Sequence, residues 1–586
     1  MNYKKYLSIP IQYLYMLGIT VVIMFAGFSQ IIEGNELNST SLQFVVDKDV
    51  VEAPRGKILD VKGRVLAEDV KDFDIYLNYS SELENEYNQV VEYLGENNLE
   101  DTKKLLKSID FDLDQNQRIF ELLDSSQVEV LNPLLETIPN LEVSSRYVRH
   151  YNYPYQFTHI LGYTGLVEAQ DVIENGYGNE DFIGKYRIEK LYEDDLRGTS
   201  GQTIHDGLSE ISIPPIEGDS IYLSIDAHWQ NQLYRQLEEY NNRNGAAGGA
   251  AVIMDSETGE VKAMVSYPGF DTNAIVRGLS PESFNILQTA RSQPLLDKAV
   301  AGSYTPGSIF KLITSYSLLN NNIITKASTF FSNQCLNLGG GFEFCEFGRN
   351  FYGLLDLPHA LMKSSNLYFC NYSLELSKDK GLSYFVADAQ KFGIGSPTGI
   401  NLESEASGTM DSPTRKLEVT GDGWFDGDTC NAVIGQGAIT TSPLQMAVVV
   451  SMIENGGKKL QPNIVYKIRH SDGVEEYLNQ TTVLDNIEIP DQIINSIKEG
   501  MSGVAYNNAS AVSRFFTDLK DFNIHAKTGS AETLENLNGV FVERVHGWIV
   551  GTFDKDGKTY TFSFFQQYGG GGYYIAPMLK DFLQNI

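Results

Sequence analysis

The chain has 586 residues, of which 42% are apolar and 21% charged, and its formal net charge is -31. That length exceeds what one ordinary hydrophobic core serves, so two to four globular domains are predicted. Such an acidic surface repels polyanions, which argues against nucleic-acid binding, but it selects no particular substrate.

In chain order, Lys4 and Lys5 precede an uncharged, mostly apolar stretch from Ile9 to Ile32, and Glu33 follows it. A bilayer core takes about 20 such residues. The stretch therefore predicts a transmembrane anchor over 9–32, with a cytoplasmic tip over 1–8 and a stalk over 33–48. The flanking charges predict an external body on a single-pass chain. A cleaved signal has only about 7–15 apolar residues and a small-residue cleavage site, and this stretch fits that pattern less well.

Residues 49–215 form a first region. Asp60-Val-Lys-Gly63 reads as a hairpin turn between short strands. The acidic, leucine-bearing part over 73–141 includes 117–123, whose helical periodicity predicts an inserted helical subdomain. A turn-rich segment around Pro214 and Pro215 makes the seam to a second region, 216–586. There 219–226 alternates as a strand, and 228–240 repeats apolar residues as a helix. Residues 248–255 and 261–266 read as a hairpin around Ser256-Glu-Thr-Gly-Glu260. Helices are predicted at 310–319 and 443–454, and strands at 547–553 and 559–565. Sheet elements that bracket a helical block predict an α+β fold.

Four cysteines are too few to staple a chain of this length. Cys335 and Cys345 flank Gly339-Gly-Gly341, a spacing that allows a bridge without requiring one. Cys370 reads as a buried helix residue and Cys430 as part of a Gly427-Asp-Thr429 turn. Their scatter argues against a metal cluster.

Three polar motifs carry the chemistry: Ser308-Ile-Phe-Lys311 behind Tyr304-Thr-Pro-Gly307, then Ser364-Ser-Asn366, then Lys527-Thr-Gly-Ser530. Pro306-Gly307 predicts a turn into a helix, with Ser308 near its N-terminus and Lys311 on the same face one turn later. A serine hydroxyl becomes a useful nucleophile when a base takes its proton, and a lysine can be that base once burial or a nearby cation such as Lys527 lowers its pKa. Ser364 can relay a proton between Lys527 and a leaving amine, while Asn366 can pair with a substrate amide. Lys527, Thr528 and Ser530 suit a terminal carboxylate, and Gly529 is expected to leave room for substrate beside the strand. The backbone amides of Ser308 and Ser530 are candidate oxyanion donors.

Together these motifs resemble those of penicillin-binding proteins and serine beta-lactamases. Further segments are similar to the class B, monofunctional penicillin-binding proteins. In the first region these are Pro54-Arg-Gly-Lys-Ile-Leu-Asp60, Gly63-Arg-Val-Leu-Ala67, His159-Ile-Leu-Gly-Tyr-Thr-Gly165 and Leu196-Arg-Gly198. In the second they include Asp271-Thr-Asn273, Gly427-Asp-Thr429, Ile434-Gly-Gln-Gly437 and His546-Gly-Trp-Ile-Val-Gly551.

The resemblance implies an N-terminal transmembrane helix, an elongated pedestal or dimerisation-type domain, and a transpeptidase domain with a central antiparallel sheet flanked by helices. It implies a cell-membrane protein with an extracytoplasmic catalytic body, acting as a peptidoglycan D,D-transpeptidase. Ser308 would attack the penultimate D-alanine carbonyl of a stem peptide and release D-alanine, and an amine of a neighbouring strand would resolve the acyl-enzyme. Beta-lactams would acylate the same serine. The alternatives are a D,D-carboxypeptidase, in which water is the acceptor, and a non-catalytic beta-lactam-binding scaffold. The implied partners are stem peptides, the membrane through the N-terminal helix, and a glycan polymerase within a wall-synthesis complex. No cofactor or metal is implied. Ile309 and Ser530 depart from the family's usual Thr or Val and Thr, and Ser530 keeps both hydroxyl and amide.

Overall fold

The apolar runs at 248–255, 547–553 and 559–565 become neighbouring strands of one sheet, and the three polar motifs are arranged around it. The computed structural model describes residues 47–586, other than 112, 172–177, 179–180, 206–209, 479 and 538. The described chain falls into two units: the segment ending at Pro54 with Gly198–Glu217, and Arg55–Arg197 with Gly218–Ile586. The first unit holds a three-stranded antiparallel sheet. In it Gly201–His205 pairs with both Asp47–Val51 and Glu210–Ile213.

In the second unit, helix α1 (Ala227–Asn244) is capped at its start by the Asp226 side chain, which accepts from the His228 amide. It ends at Gly245, whose φ of 65° suits a left-handed C-cap. Trp229, Leu233, Leu237 and Tyr240 make its buried stripe. Strands β1 (Gly248–Asp255) and β2 (Val261–Tyr267) then form the predicted hairpin. The turn Gly307–Phe310 leads into α2 (Lys311–Asn320). After it come α3 (Leu357–Lys363), α4 (Asn366–Asp379), α5 (Asp426–Val433) and α6 (Pro443–Glu454). The chain returns to the sheet as β3 (His525–Leu537), β4 (Val540–Lys555) and β5 (Lys558–Gln567), and ends in α7 (Gly572–Leu583).

The sheet order is β2-β1-β5-β4-β3, so β3 is an edge strand. The strand period of two sorts the residues of β1 between the sheet's faces. Ala251 and Ile253 pack with α1 and α7, whereas Ala250, Val252 and Met254 join the core that contains α2 and α6. Burial of each large apolar side chain in these layers contributes about 1.5–3 kcal/mol.

A second sheet crosses residue 216. Its order is Glu475–Tyr477, Val465–Arg469, Ser220–Leu223, Ile58–Leu59, Val65–Leu77 and Gln117–Leu123, with Leu141–Tyr151 also paired to Val65–Leu77. Gln117–Leu123 is thus a strand rather than the helix its periodicity predicted. The run is short, and its apolar residues find partners along Val65–Leu77, so tertiary pairing decides between two readings that periodicity leaves close. Helices do flank it, at Leu83–Glu96 and Ser125–Thr137.

The predicted tip, anchor and stalk (1–8, 9–32 and 33–48) lie outside the described residues, save that Asp47 and Lys48 already belong to a strand. Among the described residues no helix is long and apolar enough to cross a membrane. Helix α1 has 18 residues but carries His228, Arg235, Glu238, Glu239 and Arg243. The apolar α6 has 12 residues, about 18 Å at 1.5 Å per residue, against a hydrocarbon core of about 30 Å. The expectation of a transmembrane helix within the fold, and with it the single-pass membrane placement, is corrected accordingly. The fold described is an α+β pedestal joined to an α+β sheet-and-helix body.

The cysteines also differ from their sequence reading. All four are paired, as Cys335–Cys345 and Cys370–Cys430. Cys430 lies within α5, not in a turn, and its bridge ties α5 to α4. Cys335 and Cys345 face one another across the antiparallel hairpin Cys335–Gly339 and Phe342–Cys345.

Candidate active site

Ser308 sits in the tight turn ahead of α2; two contacts tie the chain entering that turn to the sheet, and a third holds it to Gly435. The Trp548 indole donates to Thr305 O at 3.0 Å, Tyr304 stacks on Phe565 with centroids 4.1 Å apart, and the Gly307 amide donates to Gly435 O at 2.9 Å. Gly307 has φ +59°, and a Cβ there would lie 2.6 Å from Ser530 O. The turn's close approach to β3 therefore needs glycine for both conformation and space.

Lys311 is fully buried one turn beyond Ser308. Its Nζ lies 3.0 Å from Ser308 Oγ, 2.7 Å from Ser364 O, 3.3 Å from Ser364 Oγ and 2.8 Å from Asn366 Oδ1. Burial lowers its pKa to about 7, and Glu346 opposes that shift. A neutral amine has two hydrogens and one lone pair. Ser364 O and Asn366 Oδ1 can only accept, so they take the two hydrogens and leave the lone pair for a serine hydroxyl.

Lys527, also fully buried, donates to Ser364 Oγ at 2.9 Å and to Thr528 O at 2.7 Å. Its pKa is pushed well below the ordinary lysine value, first by burial and then by Lys311. Of the two effects expected to lower the pKa of Lys311, burial and a nearby cation, burial is the leading cause. Ser364 Oγ stands between the two amines. Its backbone is left-handed, φ 55° and ψ 39°, as the C-cap of α3, where a non-glycine residue costs about 1–3 kcal/mol. Ser365 then caps α4, its hydroxyl accepting from the Tyr368 amide, so Asn366 is the first helical residue.

A cleft of about 720 Å³ brings Ser308, Ser364, Asn366, Thr528, Ser530 and Glu532 to one surface. Thr528, Ser530 and Glu532 alternate along β3, as the strand period requires. The Ser530 hydroxyl accepts from the Gly572 amide at 3.2 Å. The space beside Gly529 is taken by the turn that carries Ser308. A Cβ there would lie 2.9 Å from Pro306 O and 3.0 Å from Ile309 Cγ2, so this glycine admits the turn and not a substrate.

Sequence reasoning missed Glu346. It lies on the segment leaving the Cys335–Cys345 hairpin, is 3% exposed, and accepts from the Asn366 amide at 2.6 Å. Gly435, part of the Ile434–Gly437 segment noted for its resemblance, holds Gly307 from the far side of the turn. Glu346 stands at no local spacing from the motifs, so no periodicity could have disclosed it.

Residues 249–584 match the family described as penicillin binding protein transpeptidase domain, and residues 50–210 match the penicillin-binding protein dimerisation domain. The chain is similar to the peptidoglycan D,D-transpeptidase MrdA of Acinetobacter baumannii, at 27% identity over 88% of this chain and 76% of that protein. It is similar to MrdA of Haemophilus influenzae at 28% identity, over 90% and 83% of the two chains. Among solved structures, PBP2 in complex with MreC from Helicobacter pylori shares the fold. The TM-score is 0.75 at 22% identity, over 92% of this chain and 98% of that one. A chain of a peptidoglycan synthase complex that coordinates polymerization and crosslinking gives a TM-score of 0.72 at 25% identity, over 97% and 98%.

Proposed function

This chain belongs to the penicillin-binding protein transpeptidase family, and from that premise we propose that Ser308 is the residue through which it crosslinks peptidoglycan. The activity is that of a serine D,D-transpeptidase, and beta-lactams are its inhibitors. The observation that carries the residue assignment is the contact of Lys311 Nζ with Ser308 Oγ at 3.0 Å, made by a lysine whose pKa burial lowers to about 7.

In the reaction, neutral Lys311 takes the Ser308 proton as Oγ attacks the penultimate D-alanine carbonyl. Ser308 and Ser530 amides receive the charge that develops on oxygen, and an interaction of this kind is worth about 3–4 kcal/mol. Ser364, placed between both amines, passes a proton to the departing D-alanine nitrogen. Thr528 and Ser530 hold the terminal carboxylate beside Lys527, and Asn366 orients the peptide while steadying Lys311. An amine of the neighbouring acceptor strand then attacks the ester, and the same groups run in reverse. The chain works within a wall-synthesis complex, and a glycan polymerase is the partner that supplies its strands. The similarity to a synthase-complex chain supports that reading.

The test is intact mass of the protein after benzylpenicillin, beside Ser308→Ala. One drug mass on the wild type and none on the variant is the expected result. An adduct that persists in the variant places the nucleophile elsewhere. Release of crosslinked product from stem-peptide donor and amine acceptor, exceeding free hydrolysis, separates transpeptidation from carboxypeptidation.

A further inference from the structure

Glu346 is a buried carboxylate that accepts four hydrogen bonds. Its Oε1 accepts from Ser332 Oγ at 2.8 Å, from the Leu367 amide at 3.2 Å and from Ser365 Oγ at a shorter separation. Its Oε2 accepts from the Asn366 amide at 2.6 Å. It thus binds the N-terminus of α4, where the first amides lack helical partners and a negative charge is favoured. All of the α4 residues it holds, 365–367, belong to or adjoin the motif that contacts Lys311.

The carboxylate is itself held on both sides. The Glu346 amide donates to Gln334 O at 2.8 Å, and the preceding residue is Cys345, bridged to Cys335. Cys345 O in turn accepts from Asn366 Nδ2 at 3.3 Å. That bond directs Asn366 Oδ1 toward Lys311, because an amide cannot present its nitrogen to both. The titratable groups that Glu346 influences are Lys311 and Tyr352, while Lys527 lies across Ser364 Oγ and feels the charge of Lys311.

We propose that Glu346 is a positioning residue for the acylation reaction: clamped by the disulfide-closed hairpin, it fixes Ser364 and Asn366 against Lys311 and supplies the negative charge facing that buried lysine. The proposal rests on the acyl-enzyme reading above. Two effects follow, and they separate experimentally. Loss of geometry slows acylation. Loss of charge removes the influence that holds Lys311's pKa up, so the lysine stays neutral to lower pH.

The experiment measures second-order acylation of the full chain by a fluorescent penicillin across pH 5–9, with final labelling stoichiometry correcting for any unfolded fraction. Glu346→Gln keeps the size but turns an N–H₂ group toward amide donors. Its acylation rate is expected to fall about 10- to 100-fold, as small misplacements of reacting groups do, and the acid limb of its profile moves to lower pH. Glu346→Asp keeps the charge but shortens the reach, so its rate falls while the limb stays. Cys335→Ala/Cys345→Ala behaves like Glu346→Asp, with a smaller loss. A Glu346→Gln variant that acylates at the wild-type rate overturns the positioning role, and a rate loss with an unmoved limb overturns the charge role. Double-alanine behaviour identical to wild type overturns the clamp. Failure of the wild-type chain to acylate at all defeats the transpeptidase reading instead.

Discussion

Lys311 shows how burial fits an ordinary lysine for the proposed role of base. Its ammonium would have to leave water without a carboxylate in direct contact, so the neutral form gains ground and the pKa falls to about 7. Because the neutral amine is the reactive form, acylation should rise with pH up to about 7 and level above it. A stopped-flow profile of penicillin acylation that is flat from pH 5 to 8 would remove Lys311 from the role of base. The residue types were legible in sequence, since Ser308, Lys311, Ser364, Asn366 and Lys527 stand in three recognisable motifs. Their mutual distances were not. Nothing local announces that Ser364 Oγ lies between two amines that are remote from each other along the chain.

Elements owe their placement to a few tight crossings. The turn Gly307–Phe310 can approach β3 because Gly307 has no Cβ and a positive φ. Gly307→Ala adds left-handed strain of about 1–3 kcal/mol and drives a methyl toward Ser530 O. A lower melting temperature together with slower acylation is expected; unchanged values in both would show that the turn has slack. Helices and strands with strong patterns, such as α6 and the β1–β2 hairpin, were readable in advance. Gln117–Leu123 was not, because a short apolar run fits either period until a partner strand is known. The hairpin that carries Glu346 was likewise visible only as two cysteines around glycines.

At the scale of the molecule, residues on either side of 216 share one sheet and a set of buried ion pairs. Glu189, fully buried, accepts from Arg55 and Arg149, both at 2.7 Å. Arg187 reaches Asp297 at 2.8 Å and Glu403 O at 2.6 Å, connecting the 55–197 segment to the body that holds the site. Asp297 also accepts from the amides of Ala299 and Val300, just ahead of the nucleophile turn. Arg187→Ala leaves that aspartate buried without its arginine, which should cost about 3–5 kcal/mol. Denaturant unfolding measures it, and a loss below about 1 kcal/mol would mean that water or a neighbour replaces the arginine.

By itself the sequence pointed to the proposed chemistry and to the α+β class of the described domains. Nucleophile, lysines and hydroxyls are chosen by functional-group type, and the periodicities of β1, β2, α1 and α6 are dictated by burial on a strand or helix face. Tertiary structure alone decided the rest: the strand at Gln117–Leu123, the disulfide between α4 and α5, and the sheet that runs across residue 216. It also decided that Gly529 accommodates the turn, and that Glu346 faces Lys311. These features depend on contacts between residues far apart in the chain. Such contacts are set by packing and desolvation, and neither leaves a local pattern.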